Sequence, residues 1–351
     1  MAAPPLPRRM TLRDVAEAAG TTTMTVSNVI NGRTGQVGAE TARRVIAASD
    51  RLGYRPLAAA RHLRADRRMA VGVVIVDPSP YYLSDPFTSA MLAGLNDALG
   101  RHGYSLILQG VPASDLASVP MLRHVESDGL CVVPSGPAKE RRKILARIAG
   151  LGQPVVVIQD EAVASLGDAC AIRLDDAGGA RELAEHLGRA APHSVVMLVP
   201  AVEWPAMVRR EDGVRRVFAA SAAPPQFTVL RCAGESFEAT QRELARHIDA
   251  HGLPDAIVGG NDRMALAALR LLAERGITVP GRVRVTGFNG LENHLYADPP
   301  LTTVISPAFN LGEEAATALI DRLKTGAFAW RRKVLPVRFV ANRSSQSEQG
   351  E

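Results

Sequence analysis

The stretch Thr11 to Asn31, TLRDVAEAAGTTTMTVSNVIN, decides how the rest of the chain is read. Thr11 followed three residues later by Asp14 forms a capping-box variant, and Leu12, Val15, Ala16 and Ala19 recur behind it at helical spacing. Gly20 stands where a left-handed or tight conformation ends that helix, and Thr22 caps a second one carrying Met24, Val26, Val29 and Ile30. Two short helices about a glycine turn make a helix-turn-helix, a unit that lays its second helix in the major groove of DNA. The N-terminal residues of that helix then meet base edges, which assigns Thr23, Met24 and Asn28 to base readout. Thr22, Thr25, Ser27 and Asn31 face phosphates, with Thr11 beside them. The same local pattern also serves a packed helix pair in an ordinary domain.

The wider context decides between them. The run D-V-A-x-x-A-G-x-(S/T)-x-x-T-V-S-x-V-(I/L)-N stands here as Asp14, Val15, Ala16, Ala19, Gly20, Thr22, Thr25, Val26, Ser27, Val29 and Asn31. It resembles the N-terminal signature of LacI/GalR-type bacterial transcriptional regulators, and the similarity continues along nearly the whole chain. The resemblance implies a homodimeric repressor that binds a pseudo-palindromic double-stranded DNA operator under the control of a small-molecule effector, a sugar. Asn28 stands where the family usually has Arg.

Charge is distributed as that reading requires. The net +5 of the 351 residues is not uniform: residues 1–70 hold 12 Arg against 5 acidic residues, a balance of +7, which leaves −2 for the remainder. A basic head on a near-neutral body is the electrostatic footprint of polyanion binding. The three cysteines, Cys131, Cys170 and Cys232, are widely spaced beside apolar runs and read as buried, reduced thiols. There is no run of about 18 apolar residues, and the start MAAPPLPRRM has no signal-peptide core, so a cytoplasmic location without membrane contact is expected.

In chain order, residues 1–10 are Pro-rich and expected to form a disordered tail, and 11–55 form the head. Gly32 to Gly38 is a loop; Glu40 to Leu52 is a third helix with Val45, Ile46, Ser49 and Leu52 inward, ended by Gly53. Residues 56–69 begin with Pro56 and continue with helix formers, too few for a stable isolated helix. By resemblance this is a hinge helix that forms on DNA, with Leu57, Ala60 and Leu63 at the minor groove and Leu63 as the wedge between base steps. Leu57 replaces the usual Asn.

From Ala70 the pattern becomes α/β. AVGVVIV (70–76), YSLILQG (104–110), GLCVVP (129–134), QPVVVIQ (153–159) and CAIRL (170–174) are apolar runs suited to parallel strands buried on both faces, with helical segments between them. The rhythm repeats through SVVMLV (194–199), FTVLRCA (227–233), AIVGG (256–260) and VRVTGF (283–288), predicting two doubly wound parallel lobes. The arrangement looks like a periplasmic-binding-protein-like core in which the chain crosses between lobes three times. Those crossings are placed near Asp175, Ser306 and Arg332, giving one lobe of 70–174 with 307–331 and a second of 175–306 with 332–343, before a tail at 344–351.

Ligands of such sheets sit beyond the carboxyl ends of the strands. The candidates there are Tyr82 and Phe87 after the first strand, Ser135 and Gln159 after later ones, and Arg210, Asn261, Asp262 and Asn289 in the second lobe. Asp85-Pro86-Phe87 matches the family's N-P-F segment, Arg210 with Gly213 its R-x-x-G, and Asn261-Asp262 its N-D; Asn289 stands where Asp is common. Arg is a bidentate donor for vicinal hydroxyls or a carboxylate, and the amides orient hydroxyls. The eight histidines show no H-E-x-x-H spacing, and neither G-x-x-x-x-G-K-(S/T) nor G-x-S-x-G occurs, so no catalytic residue, metal or cofactor is assigned. A sugar-binding transport protein is the competing reading of the core, but it leaves the basic head unexplained.

Overall fold

The computed structural model describes residues 10–31, 33, 35, 37–55, 67–161, 166–233 and 236–346. They divide into two units, the first up to Arg68 and the second from Met69. The expected hinge contacts Leu57, Ala60 and Leu63 lie outside the described residues.

The first unit holds α1 (Leu12–Ala18), α2 (Thr23–Ile30) and α3 (Ala39–Leu52). Thr11 Oγ1 accepts from the Asp14 N–H at 3.3 Å while the Thr11 N–H donates to Asp14 Oδ2 at 2.7 Å, so the capping box is reciprocal. Gly20 takes φ +60° in the turn. Thr22 caps α2 by accepting from the Thr25 N–H at 3.2 Å. Val15, Val26 and Val45 are fully buried at the centre, surrounded by Ala16, Ala19, Val29 and Ala48. One expected core residue is on the wrong side: Ile46 is 53% exposed, because the inward stripe of α3 runs through Val45, Ala48 and Leu52 at i, i+3 and i+7.

The second unit is built from two lobes. The first contains β1 (Ala70–Val76), α4 (Pro86–Arg101), β2 (Ser105–Val111), α5 (Pro120–Arg123), β3 (Gly129–Val133), α6 (Ala138–Ala149), β4 (Val155–Ile158) and β5 (Ala169–Leu174). The chain then enters the second lobe through α7 (Asp176–Gly188), β6 (Ser194–Pro200), α8 (Pro205–Ala219), β7 (Gln226–Cys232), α9 (Phe237–His251), β8 (Ala256–Gly259), α10 (Asp262–Glu274), β9 (Arg284–Thr286) and β10 (Thr303–Ile305). It returns as α11 (Ala308–Thr325) and β11 (Arg332–Leu335), and ends with β12 (Arg338–Val340).

The larger sheet is parallel throughout, in the order β11-β5-β4-β3-β1-β2. The smaller is parallel in the order β7-β6-β8-β9, and β10 pairs antiparallel with β12 beside it. Helices cover both faces of each sheet, which is why β1, β3 and β4 are buried along their whole length and carry continuous Val, Ile and Leu. Helices α4 and α11 cross backbone to backbone: a Cβ at Gly312 would lie 1.9 Å from the Met91 carbonyl oxygen, and one at Gly94 2.0 Å from that of Phe309. Only glycine permits that approach, which packs α11 closely against α4 of the first lobe. All three cysteines are buried and free, and burial pushes Cys232 up to about 11 and Cys170 to about 12, so both stay thiols at neutral pH.

Two expected boundaries are corrected. The third crossing does not fall near Arg332: β11 pairs with β5 and Leu335 is buried in the first lobe's core, so the crossing lies between Leu335 and Arg338. Pro336 explains the break, since it cannot donate to a ladder and divides the apolar run 334–340 into two short strands in different sheets. The tail expected from 344 is also partly structural. Ser344 is fully buried, accepts from the Val285 N–H at 2.9 Å and donates its hydroxyl to the Val285 carbonyl at 2.6 Å, while the Ser345 hydroxyl meets Thr302 Oγ1 at 2.6 Å.

Candidate functional site

In the first unit, the residues assigned to base readout are available on the surface of α2. Thr23 is exposed, Met24 is 71% exposed and Asn28 is partly exposed, while Val26 and Val29 turn into the core. The residues assigned to phosphates carry local bonds: Thr11 and Thr22 are helix caps, Thr25 Oγ1 lies 3.0 Å from that of Thr22, and Asn31 Nδ2 donates to the Ser27 carbonyl at 2.7 Å. Capping thus fixes the angle at which α2 leaves the turn.

In the second unit a cavity of about 650 Å³ lies at the carboxyl ends of both sheets. Its apolar wall is formed chiefly by Tyr81, Phe87 and Met91 of the first lobe and Val202, Trp204 and Met207 of the second. Of the eight expected effector residues, Phe87, Gln159, Arg210, Asn261 and Asn289 line it.

Arg210 is the centre of the polar wall. It is 2% exposed on α8; Nε donates to Asp176 Oδ1 at 2.9 Å, one terminal nitrogen to the Gly260 carbonyl at 2.7 Å, and the other to Asn289 Oδ1 at 3.0 Å. The guanidinium lies 3.7 Å from the centroid of the Phe288 ring. Burial lowers its pKa from the ordinary value, opposed by Asp176, with which it stays paired. Three of its five N–H donors are used, and two are left without a partner among the described residues. Asn289 takes φ +116° and is held by its N–H on the Val304 carbonyl at 2.9 Å. Because its oxygen is occupied by Arg210, its amide nitrogen is the group it presents as a donor.

Asn261 caps α10 by accepting from the Met264 N–H at 2.9 Å. Gln159, at φ +63°, accepts from the Leu174 N–H through Oε1 at 3.1 Å. Asp77 lines the cavity from the end of β1 and accepts from the Ser79 N–H at 2.8 Å; burial raises its pKa above the usual carboxylate value, against that hydrogen bond and together with the charge of Asp85.

Three expected residues are elsewhere. Tyr82 packs on β2, where its ring fills the space a Cβ would need at Gly110, and its neighbour Tyr81 lines the cavity instead. Ser135 is buried outside the lining, because the loop after β3 turns at Gly136, whose N–H donates to the Glu203 carbonyl at 2.8 Å. Asp262 faces inward: Oδ2 accepts from the Gly290 N–H at 2.7 Å and Oδ1 from the Thr303 hydroxyl at 2.5 Å, and burial raises its pKa. It borders a smaller adjoining cavity of about 250 Å³.

Sequence reading missed Trp204, Met207, Asp176 and Arg209. Trp204 had a signal, being one of two tryptophans and standing directly before the helix-starting Pro205. Asp176 and Arg209 had none beyond an Asp-Asp and an Arg-Arg pair, since charged pairs are ordinary on helix surfaces.

Comparison with known proteins is consistent with both units. Residues 11–56 match the model of bacterial regulatory proteins of the lacI family, and residues 184–345 that of the periplasmic binding protein-like domain. The HTH-type transcriptional repressor PurR of Vibrio campbellii (strain ATCC BAA-1116) is 30% identical, covering 90% of this chain and 92% of its own. A lac repressor dimer bound to operator and the anti-inducer ONPF superposes with a TM-score of 0.80 at 22% identity, over 97% of this chain and all of that one. A complex of the transcriptional regulator CelR with cellobiose superposes at 0.66 with 25% identity, over 96% and 100%.

Proposed function

The chain belongs to the lacI family of bacterial regulatory proteins, and from that premise we propose that its cavity binds a carbohydrate effector that controls operator binding. As a family member it is a sequence-specific, DNA-binding regulator of transcription, a repressor. The observation carrying the effector reading is Arg210, fixed on three sides with two N–H donors to spare, in a cavity walled by Trp204, Tyr81 and Phe87. Vicinal hydroxyls suit the remaining donors of Arg210 and the Asn289 amide, while the C–H face of a sugar ring suits the aromatic wall. The volume of about 650 Å³ falls in the range of small-molecule sites and accommodates more than one ring. The relative solved with cellobiose makes a saccharide of that size a reasonable first choice.

Thr23, Met24 and Asn28 read bases in this proposal, Thr11, Thr22, Thr25, Ser27 and Asn31 set the docking, and Leu57, Ala60 and Leu63 enter the minor groove. Two chains related by a two-fold axis place two heads on a pseudo-palindrome, as suits the dimeric assembly of the operator-bound relative. No helix among the described residues is long and apolar enough to cross a membrane, and the cytoplasm is the proposed location, where operator DNA is found.

The test is titration of an operator complex with a panel of pentoses, hexoses and disaccharides. One of them is expected to shift operator affinity, and Arg210→Lys, which keeps the charge but loses the fork, to require about ten- to a hundredfold more of it. A panel without effect, alongside a response to a flat nucleobase, overturns the carbohydrate assignment.

A further inference from the structure

Asp176, fully buried at the start of α7, serves two arginines: its Oδ1 accepts from Arg210, and its Oδ2 accepts from Arg209 at 2.9 Å and 3.3 Å. Consecutive residues on a helix point about 100° apart, so Arg210 faces the cavity while Arg209 leaves α8 in another direction. There the same nitrogen of Arg209 that meets Asp176 donates to the backbone carbonyl of Gln159 at 3.0 Å. Gln159 follows β4 of the first lobe, whereas Arg209 and Asp176 belong to the second. The bond therefore bridges the lobes and is one carboxylate removed from the cavity's central arginine.

Further out, Glu203 of the second lobe meets Arg141 of the first at 3.2 Å, and its carbonyl accepts from the Gly136 N–H at 2.8 Å. Glu203 is 39% exposed there, and exposed ion pairs contribute little. The Arg209 side chain is 20% exposed and Asp176 not at all, so the carboxylate that anchors the inner bridge is shielded from solvent. Trp204, on the same stretch of chain, packs against the first lobe's core and lines the cavity. It changes surroundings if the lobes part.

We infer that Arg209 is a positioning residue that clasps the lobes around the cavity, holding the Gln159 carbonyl of the first lobe and sharing Asp176 with Arg210. The clasp's regulatory meaning rests on the effector reading above; the clasp itself does not. Because Arg210 and Arg209 share one carboxylate, a ligand that draws on Arg210 changes what Asp176 offers to Arg209, and cavity occupancy and lobe arrangement become coupled.

The test uses the full chain with Trp330→Phe, leaving Trp204 as the single tryptophan, and follows quenching of its fluorescence by acrylamide well below the melting temperature. Arg209→Met is expected to raise the quenching constant about threefold as open arrangements become populated. Arg209→Lys keeps a charge on Asp176 without spanning both partners, so it folds if Arg209→Met does not, and gives a smaller rise in the same direction. Arg322→Met removes an ion pair with Asp168 inside the first lobe and is expected to leave quenching unchanged. If neither Arg209 variant exceeds the Arg322→Met control, the clasp is refuted. No ligand enters the measurement, so its failure is distinct from failure of the carbohydrate reading.

Discussion

Operator affinity is expected to fall about a thousandfold between about 50 and 200 mM salt, the response of a protein that displaces six or more phosphate counterions. The basic groups are in place: Arg13, Arg33, Arg43, Arg44, Arg51 and Arg55 are all exposed in the first unit, and a dimer doubles them. The rest of the chain carries a balance of −2 and adds no general attraction. A salt titration of the binding constant checks this, and a slope near zero would mean that the head does not sit on the DNA backbone. The same titration separates the roles on α2: Met24 and Asn28 should change which sequence is bound and leave the slope alone.

Arg210→Ala is expected to cost about 3–5 kcal/mol of stability, the range for removing one partner of a buried charge pair. The sequence alone marked Arg210 only as a donor for a ligand. In the structure Arg210 is 2% exposed, and its removal strips Asp176, Gly260 and Asn289 of a partner each. For a unit of this size the loss corresponds to a melting temperature lower by about 6–20 °C. Arg216→Ala is the comparison, because Arg216 pairs with Asp212 at a side chain 75% exposed, and such i,i+4 pairs contribute about 0.3–0.5 kcal/mol. Thermal or urea unfolding of both variants decides it: equal, small losses would show that the buried network is not a structural hub. This is also why Arg210→Lys, rather than alanine, is the variant for effector work.

Local periodicity made most of the architecture legible. The apolar runs at 70–76 and 153–159 are continuous because their strands are covered on both faces, and the cap at Thr22 was readable because its geometry needs only a hydroxyl three residues before an unpaired N–H. What failed was partnership at long range. Nothing local tells the run 334–340 that Pro336 sends its halves to different sheets, or Tyr82 that Gly110, 28 positions on, leaves room for its ring. The site divides the same way: Asn261 and Asn289 follow strand ends that can be counted along the sequence and Arg210 stands in a recognisable R-x-x-G segment, but Asp176 and Arg209 matter through bonds to residues 33 to 50 positions away.

The central claim, that this chain reads a symmetric operator through α2, is tested most directly by selection from a random duplex pool with the full-length parent and with Asn28→Arg. The parent is expected to enrich a two-fold symmetric site, and the variant one with the same half-site spacing and a different half-site sequence. An unenriched pool, or the identical sequence from both proteins, would contradict it.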